Sequence, residues 1–157
     1  MQIQLLITGK LRFPFVREGV GEYMKRLEKY TDFRIRELPD IKNTGSWPQS
    51  KIMKEEGRVI LKALSDSDYV ILLDERGKEM DSISFAEFLE RKHQDRLKLI
   101  VFVTGGAYGF SEEVYKRGNM QLSFSRMTFS HQVFPLFFVE QLYRAYTIIR
   151  GSPYHHG

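Results

Sequence analysis

Cysteine is absent from the 157 residues, which excludes a disulfide framework, a thiol nucleophile and a thiolate metal site. No apolar run approaches the ~18 residues that a membrane span requires. The first residues, Met1-Gln2-Ile3-Gln4-Leu5, lack the charged lead and small-residue cleavage site of a secretory leader. These absences point to a cytoplasmic protein with no membrane contact. Histidine is scarce, with four in all, and none stands among carboxylates at metal-ligand spacing, so no metal is expected. No serine sits in an elbow motif with histidine and acid partners. Internal repeats, low-complexity tracts and linkers are also missing, which leaves a single domain over residues 1–157.

What is present is ordinary for a globular chain: 42% hydrophobic and 28% charged residues, enough to bury a core. The net charge of +4 attracts phosphate at long range if the positive side chains share a face, and otherwise marks a mixed solvated surface.

Gln2 to Thr8 reads as a strand closing at Gly9, and Pro14 opens a helix to about Tyr30. Phe15, Val20, Tyr23, Met24 and Leu27 form the expected core stripe of that helix. Phe33 to Leu38 alternates as a half-buried strand stopped by Pro39, and Asp40 to Gln49 is loop. Trp47 either anchors that loop or stacks on a base. Pro48 starts a second helix with Ile52, Val59, Ile60 and Ala63 on one side, where Lys51 and Glu55 are spaced to pair. Tyr69 to Leu73 is a buried strand ending in a charged turn, Asp74-Glu75-Arg76-Gly77-Lys78. Ser82 or Ser84 caps the next helix, with Phe85, Phe88 and Leu89 inward. Leu99 to Val103 is a second continuous apolar strand, and the last helix ends near Gly151. Strands bracketing helices predict an α/β fold, a mostly parallel sheet with helices on both faces. The final helix is apolar nearly all round in its first half, more than a small monomer buries, so a second subunit is expected against it.

Ligands of open parallel sheets sit beyond the carboxyl ends of the strands. There the chain carries Leu73-Asp74 and the glycine turn Thr104-Gly105-Gly106-Ala107-Tyr108-Gly109, which either cradles a ligand with its backbone or merely turns toward the helix capped by Ser111. The pattern is neither G-x-G-x-x-G nor a Walker A. Glu112 and Glu113, in the first turn of that helix, already satisfy its positive end and repel a phosphate. A neutral or cationic nucleoside fits better, and S-adenosylmethionine is one. Phe124 to Phe129 offers backbone groups and small hydroxyls between apolar side chains, suited either to gripping an adenine or to an ordinary β-hairpin or edge connection.

Four motifs then occur in order: Gly105-Gly106-x-x-Gly109, Leu122-Ser123-Phe124-Ser125-x-Met127-Thr128-Phe129-x-His131, Glu140-Gln141-Leu142-Tyr143-Arg144-Ala145 and Gly151-x-Pro153-Tyr154-His155. In this set the chain resembles the RlmH family, bacterial 23S ribosomal RNA pseudouridine-N3-methyltransferases of the SPOUT class. The resemblance implies a C-terminal trefoil knot, which no periodicity argument reaches, and a homodimer. It also implies S-adenosylmethionine held at Leu73, Gly105, Phe124, Ser125, Arg126, Met127, Thr128 and Phe129, and a pseudouridine of 23S rRNA in the large subunit or assembled ribosome as substrate. Arg144, Tyr154 and His155 match the positions that contact or activate that base. The alternatives are a transfer RNA or other RNA substrate on the same fold, or a non-catalytic RNA-binding module. Where the family usually reads Pro-His-Gln-x-x-Arg, this chain has Ser130-His131-Gln132-Val133-Phe134-Pro135, which implies a looser and shifted helix start and one basic contact fewer.

Overall fold

The computed structural model describes residues 1–157. Five strands, β1 (Gln2–Thr8), β2 (Asp32–Leu38), β3 (Tyr69–Glu79), β4 (Leu99–Thr104) and β5 (Met120–Ser123), form one sheet in the order β2-β1-β4-β3-β5. Every neighbouring pair is parallel, so each return needs a crossover. The helices α1 (Pro14–Leu27), α2 (Gln49–Lys62), α3 (Ser82–Gln94), α4 (Glu112–Arg117) and α5 (Phe134–Ile149) lie along those crossovers and after β5.

Alternate strand residues go to opposite faces, and both faces are covered. Leu5, Ile71 and Phe102 pack with Val20 of α1, Leu89 of α3 and Phe138 of α5. Leu6, Leu72 and Val103 point the other way, to Ile60 of α2 and Val114 of α4. This two-sided burial is why the central strands read as continuous apolar runs, and the expected α/β architecture holds.

Four local expectations are corrected. Phe15 is 61% exposed and stacks on Phe13, whereas Val16 is the buried residue of that turn. Glu55 pairs with Arg58 at 3.3 Å rather than with Lys51. The Lys51 ammonium instead lies 4.0 Å from the centre of the Trp47 ring, which ties the indole to its own loop. The cap of α3 is Asp81, whose carboxylate accepts the Ser84 N–H at 2.7 Å. Finally, the charged segment after Leu73 is no turn. Leu73 and Lys78 both pair with Leu122, so Asp74 to Gly77 bulges out of a single long edge-paired strand.

The motif departures at the start of α5 are absorbed locally. Pro135 falls in the first turn of the helix, where its missing N–H is an orphan anyway. The Ser130 carbonyl accepts the N–H groups of Val133 and Phe134 at 3.1 and 3.0 Å, closing a tight turn before the helix. At the far end Gly151, at φ +69°, lets the N–H groups of Gly151 and Ser152 bond back to Ile148 and Thr147. This is a Schellman stop, and it folds the tail back onto the helix.

Candidate functional site

A cleft of about 1000 Å³ opens beyond the carboxyl ends of β1, β4 and β5 and beside the bulge in β3. Its two principal walls are the glycine turn after β4 and the loop after β5. Gly105 and Met127, far apart in sequence, line the same space. Both sequence-derived ligand segments therefore converge, and because β5 is a parallel edge strand, the hairpin reading of Phe124 to Phe129 is excluded.

Each wall is shaped by its neighbours. The turn closes with the Gly109 N–H donating to Gly106 O at 3.1 Å, and Gly109 sits at φ +85°, where a side chain is disfavoured. A Cβ on Gly106 would stand 2.1 Å from Glu56 Oε2. On the other wall the Phe124 ring is locked edge-on against Phe85, with centroids 5.0 Å apart, and Phe129 stacks on Phe137 at 4.8 Å. Ser125 Oγ accepts the Met127 N–H at 2.9 Å, and Ser123 Oγ donates to Ser125 O at 2.9 Å, so the intervening backbone is held open. Past Phe129 the chain crosses back over the strand ends. There a His131 ring nitrogen meets the Thr8 carbonyl at 2.6 Å; a carbonyl only accepts, so Nε2 carries the proton.

The lining is acidic. Asp40, Glu56, Asp74 and Glu75 face Arg76 and His131. Arg76 is engaged by Asp74, whose carboxyl is pushed up by burial but pulled further down by hydrogen bonds from the Tyr115 hydroxyl and from the Arg76 N–H and guanidinium. Asp74 therefore stays ionised. Burial raises the Glu56 carboxyl, Asp40 adds to the rise, and His131 opposes it. Ser111 caps α4 with Glu112 and Glu113 in its first turn, as the sequence implied. Such an acidic lining disfavours an anion and suits a neutral or cationic ligand.

Of the sequence-derived cofactor positions, Leu73, Gly105, Phe124, Ser125, Met127, Thr128 and Phe129 line the cleft. Arg126 does not; its guanidinium turns away to pair with Glu79. Arg144, Tyr154 and His155 form a separate cluster on α5 and the tail, none of them lining the cleft of their own chain. Arg144 donates through Nε and Nη2 to Glu140 Oε1 at 3.1 and 2.6 Å and lies over the Tyr154 ring at 4.9 Å. Arg144 Nη1 meets His155 Nδ1 at 3.2 Å. A guanidinium only donates, so that nitrogen is an acceptor and the imidazole is neutral. The Tyr154 hydroxyl bonds Glu140 at 3.2 Å and Tyr23 at 3.3 Å; burial, then these two partners, raise it above the usual phenol range. Sequence reasoning missed Glu140, Glu56 and Asp40 as site residues. The signals for Glu140 were its place at the head of the Glu140-to-Ala145 motif and four residues before Arg144, the spacing of a helical ion pair.

An open parallel sheet with an acidic cleft at its strand ends, and a separate cluster of Arg144, Tyr154 and His155 on its last helix and tail, is an α/β architecture compatible with methyl transfer. The chain belongs to the SPOUT methyltransferase family, whose model, described as "Predicted SPOUT methyltransferase", matches residues 1–155. Its relatives include proteins named "Ribosomal RNA large subunit methyltransferase H". Those of Parabacteroides distasonis, Flavobacterium johnsoniae and Christiangramia forsetii are 47%, 46% and 45% identical to it over 156 residues, 99% of each chain. The resemblance carried by the glycine turn and the tail motifs is thereby borne out. No helix is long and apolar enough to cross a membrane.

Proposed function

We propose that this protein transfers a methyl group from S-adenosylmethionine to N3 of a pseudouridine in 23S ribosomal RNA, within the large subunit or assembled ribosome in the cytoplasm. One observation carries the cofactor half of this reading. Two backbone-rich loops behind neighbouring strands face each other across an acidic cleft that repels phosphate and welcomes a cation. The names of the full-length relatives support the RNA half.

S-adenosylmethionine supplies an electrophilic methyl on a sulfonium centre. The chain's own residues bind and orient: Leu73, Gly105 and Phe124 to Phe129 offer main-chain groups and apolar walls for a purine. The attacking N3 belongs to an imide that must lose its proton. The Arg144 guanidinium, held in place by Glu140, is the group that stabilises the resulting anion. His155 becomes the base only when its Nδ1 is released from Arg144. The Tyr154 ring, packed against Tyr143 with centroids 4.8 Å apart, provides a face for the base.

Because Arg144, Tyr154 and His155 stand outside the cleft of their own chain, a complete site needs a second copy whose tail reaches the first. The half-buried Phe137 and Tyr143 on α5 support such a homodimer. The trefoil knot belongs to the same proposal. The return of residues 124–131 from the edge strand β5 across to Thr8 of β1 is the kind of crossing it requires.

Methylation assays on intact ribosomes, free large subunits, bare 23S rRNA and transfer RNA test the substrate. Product confined to the first two is expected, and product on transfer RNA alone refutes the reading. Unchanged single-turnover rates in both Arg144→Ala and His155→Ala would remove the catalytic assignment. A chain that shows no heat of binding with S-adenosylmethionine is a pure RNA-binding module instead.

A further inference from the structure

The acidic groups of the cleft are not equivalent. Asp74 is saturated by Arg76 and Tyr115, and Asp40 pairs with Arg12 at 3.0 Å. Glu75 is exposed. Glu56 alone is a half-buried carboxylate of the cleft with neither hydrogen bond nor ion pair, and its position is fixed by the fold. It stands on α2 beside Gly57, and a Cβ at Gly57 would lie only 2.4 Å from the Ser111 hydroxyl that caps α4. From there its oxygens reach beneath the glycine turn, lying 2.1 and 3.1 Å from where a Cβ of Gly106 would be. A half-buried carboxylate without a partner is costly, and a ligand cation removes that cost.

The two ends of the cleft differ in chemistry. Toward β3 and β5 Leu73, Leu122 and Phe124 form an apolar, backbone-rich wall, and of the charged residues in the β3 bulge at that end Asp74 and Arg76 are engaged with each other while Glu75 is exposed. Toward β1 it is polar: Thr8, Asp40, Gln49, Glu56 and His131. A purine belongs at the first end, which leaves the amino-acid arm of the ligand for the second. That arm carries an ammonium.

Resting on the reading of the cleft as an S-adenosylmethionine site, we propose that Glu56 is the receptor for the α-ammonium group of the cofactor. Through that contact it sets the direction in which the nucleoside lies along the cleft. Asp40, paired with Arg12, stands at the same end of the cleft. The glycine at position 106 has a specific purpose in this scheme, because any side chain there would displace the carboxylate from the ligand.

Titration calorimetry on the full chain tests this with three ligands. S-adenosylmethionine carries both the ammonium and the sulfonium charge, S-adenosylhomocysteine carries the ammonium without the sulfonium, and 5′-methylthioadenosine lacks the amino-acid arm. Glu56→Gln keeps the size of the side chain and removes its charge. It is expected to weaken the first two alike, by about ten- to a hundredfold, and to leave the third unchanged. Gly106→Ala, with an unchanged melting temperature, is expected to reproduce the pattern. Weakening of S-adenosylmethionine alone overturns the proposal, since Glu56 would then face the sulfonium. Equal weakening of all three ligands, or of none, also overturns it. A wild-type chain that binds none of them refutes the cofactor reading itself, and this inference falls with it.

Discussion

Glu140→Ala isolates what holds Arg144 in place. In the wild type a single oxygen, Glu140 Oε1, collects Arg144 Nε at 3.1 Å, Arg144 Nη2 at 2.6 Å and the Tyr154 hydroxyl at 3.2 Å. The two side chains are only 24% and 20% exposed, so this pair is screened less than a surface i, i+4 bridge. Removing the carboxylate is expected to cost the fold about 1–2 kcal/mol, between the value of an exposed pair and that of a buried one. The larger effect is on catalysis. An arginine side chain carries about 2 kcal/mol of rotamer entropy, and the freed guanidinium must forfeit it in each turnover. At about 1.4 kcal/mol per decade this is roughly a thirtyfold fall in rate. Single-turnover methylation at saturating cofactor reads it directly. Glu140→Gln, which keeps an oxygen acceptor without the charge, is expected to fall by less. A Glu140→Ala rate equal to wild type, alongside a large loss in Arg144→Ala, refutes positioning by Glu140.

Two further outcomes follow from packing and charge. Gly57→Ala would place its methyl 2.4 Å from Ser111 Oγ at the crossing of α2 and α4, so despite better helix propensity it should cost about 1–3 kcal/mol; thermal denaturation followed by circular dichroism checks it. Asp74 has its folded-state affinity for protons depressed, so its stabilisation is present above the ordinary carboxylate range and is lost as pH falls below that range through the lowered folded-state value. Tyr115→Phe removes one donor from that carboxylate, and its acid-unfolding midpoint should therefore move to higher pH than in the wild type.

The parts of the fold legible in the sequence were those written in local chemistry. β4 and the first half of β3 announced themselves as apolar runs, β1 as an alternating strand, Gly9 and Gly151 as stops, and Ser111 as a cap. Asp74 to Lys78 was misread because a charged run looks the same whether it turns or bulges; only pairing with β5 keeps it in the sheet, and that contact lies some 45 residues away. The ligand walls were legible as glycine and small-residue loops. Their convergence on one cleft was expected and holds, whereas the arrival of Glu56 and Asp40 from α2 and the loop before it was not read. Those contacts come from a strand order that periodicity does not encode.

The hydrogen bond between His131 and Thr8 joins residues 123 positions apart. It ties the segment just before the last helix to the first strand, and every wall of the cleft lies between or beside them. The pocket is therefore among the last features to exist during biosynthesis, when nearly the whole chain has emerged. A chain that stops short of residue 131 lacks this bond and also α5, whose Phe138, Val139 and Leu142 belong to the main core, so cleft and core are completed together.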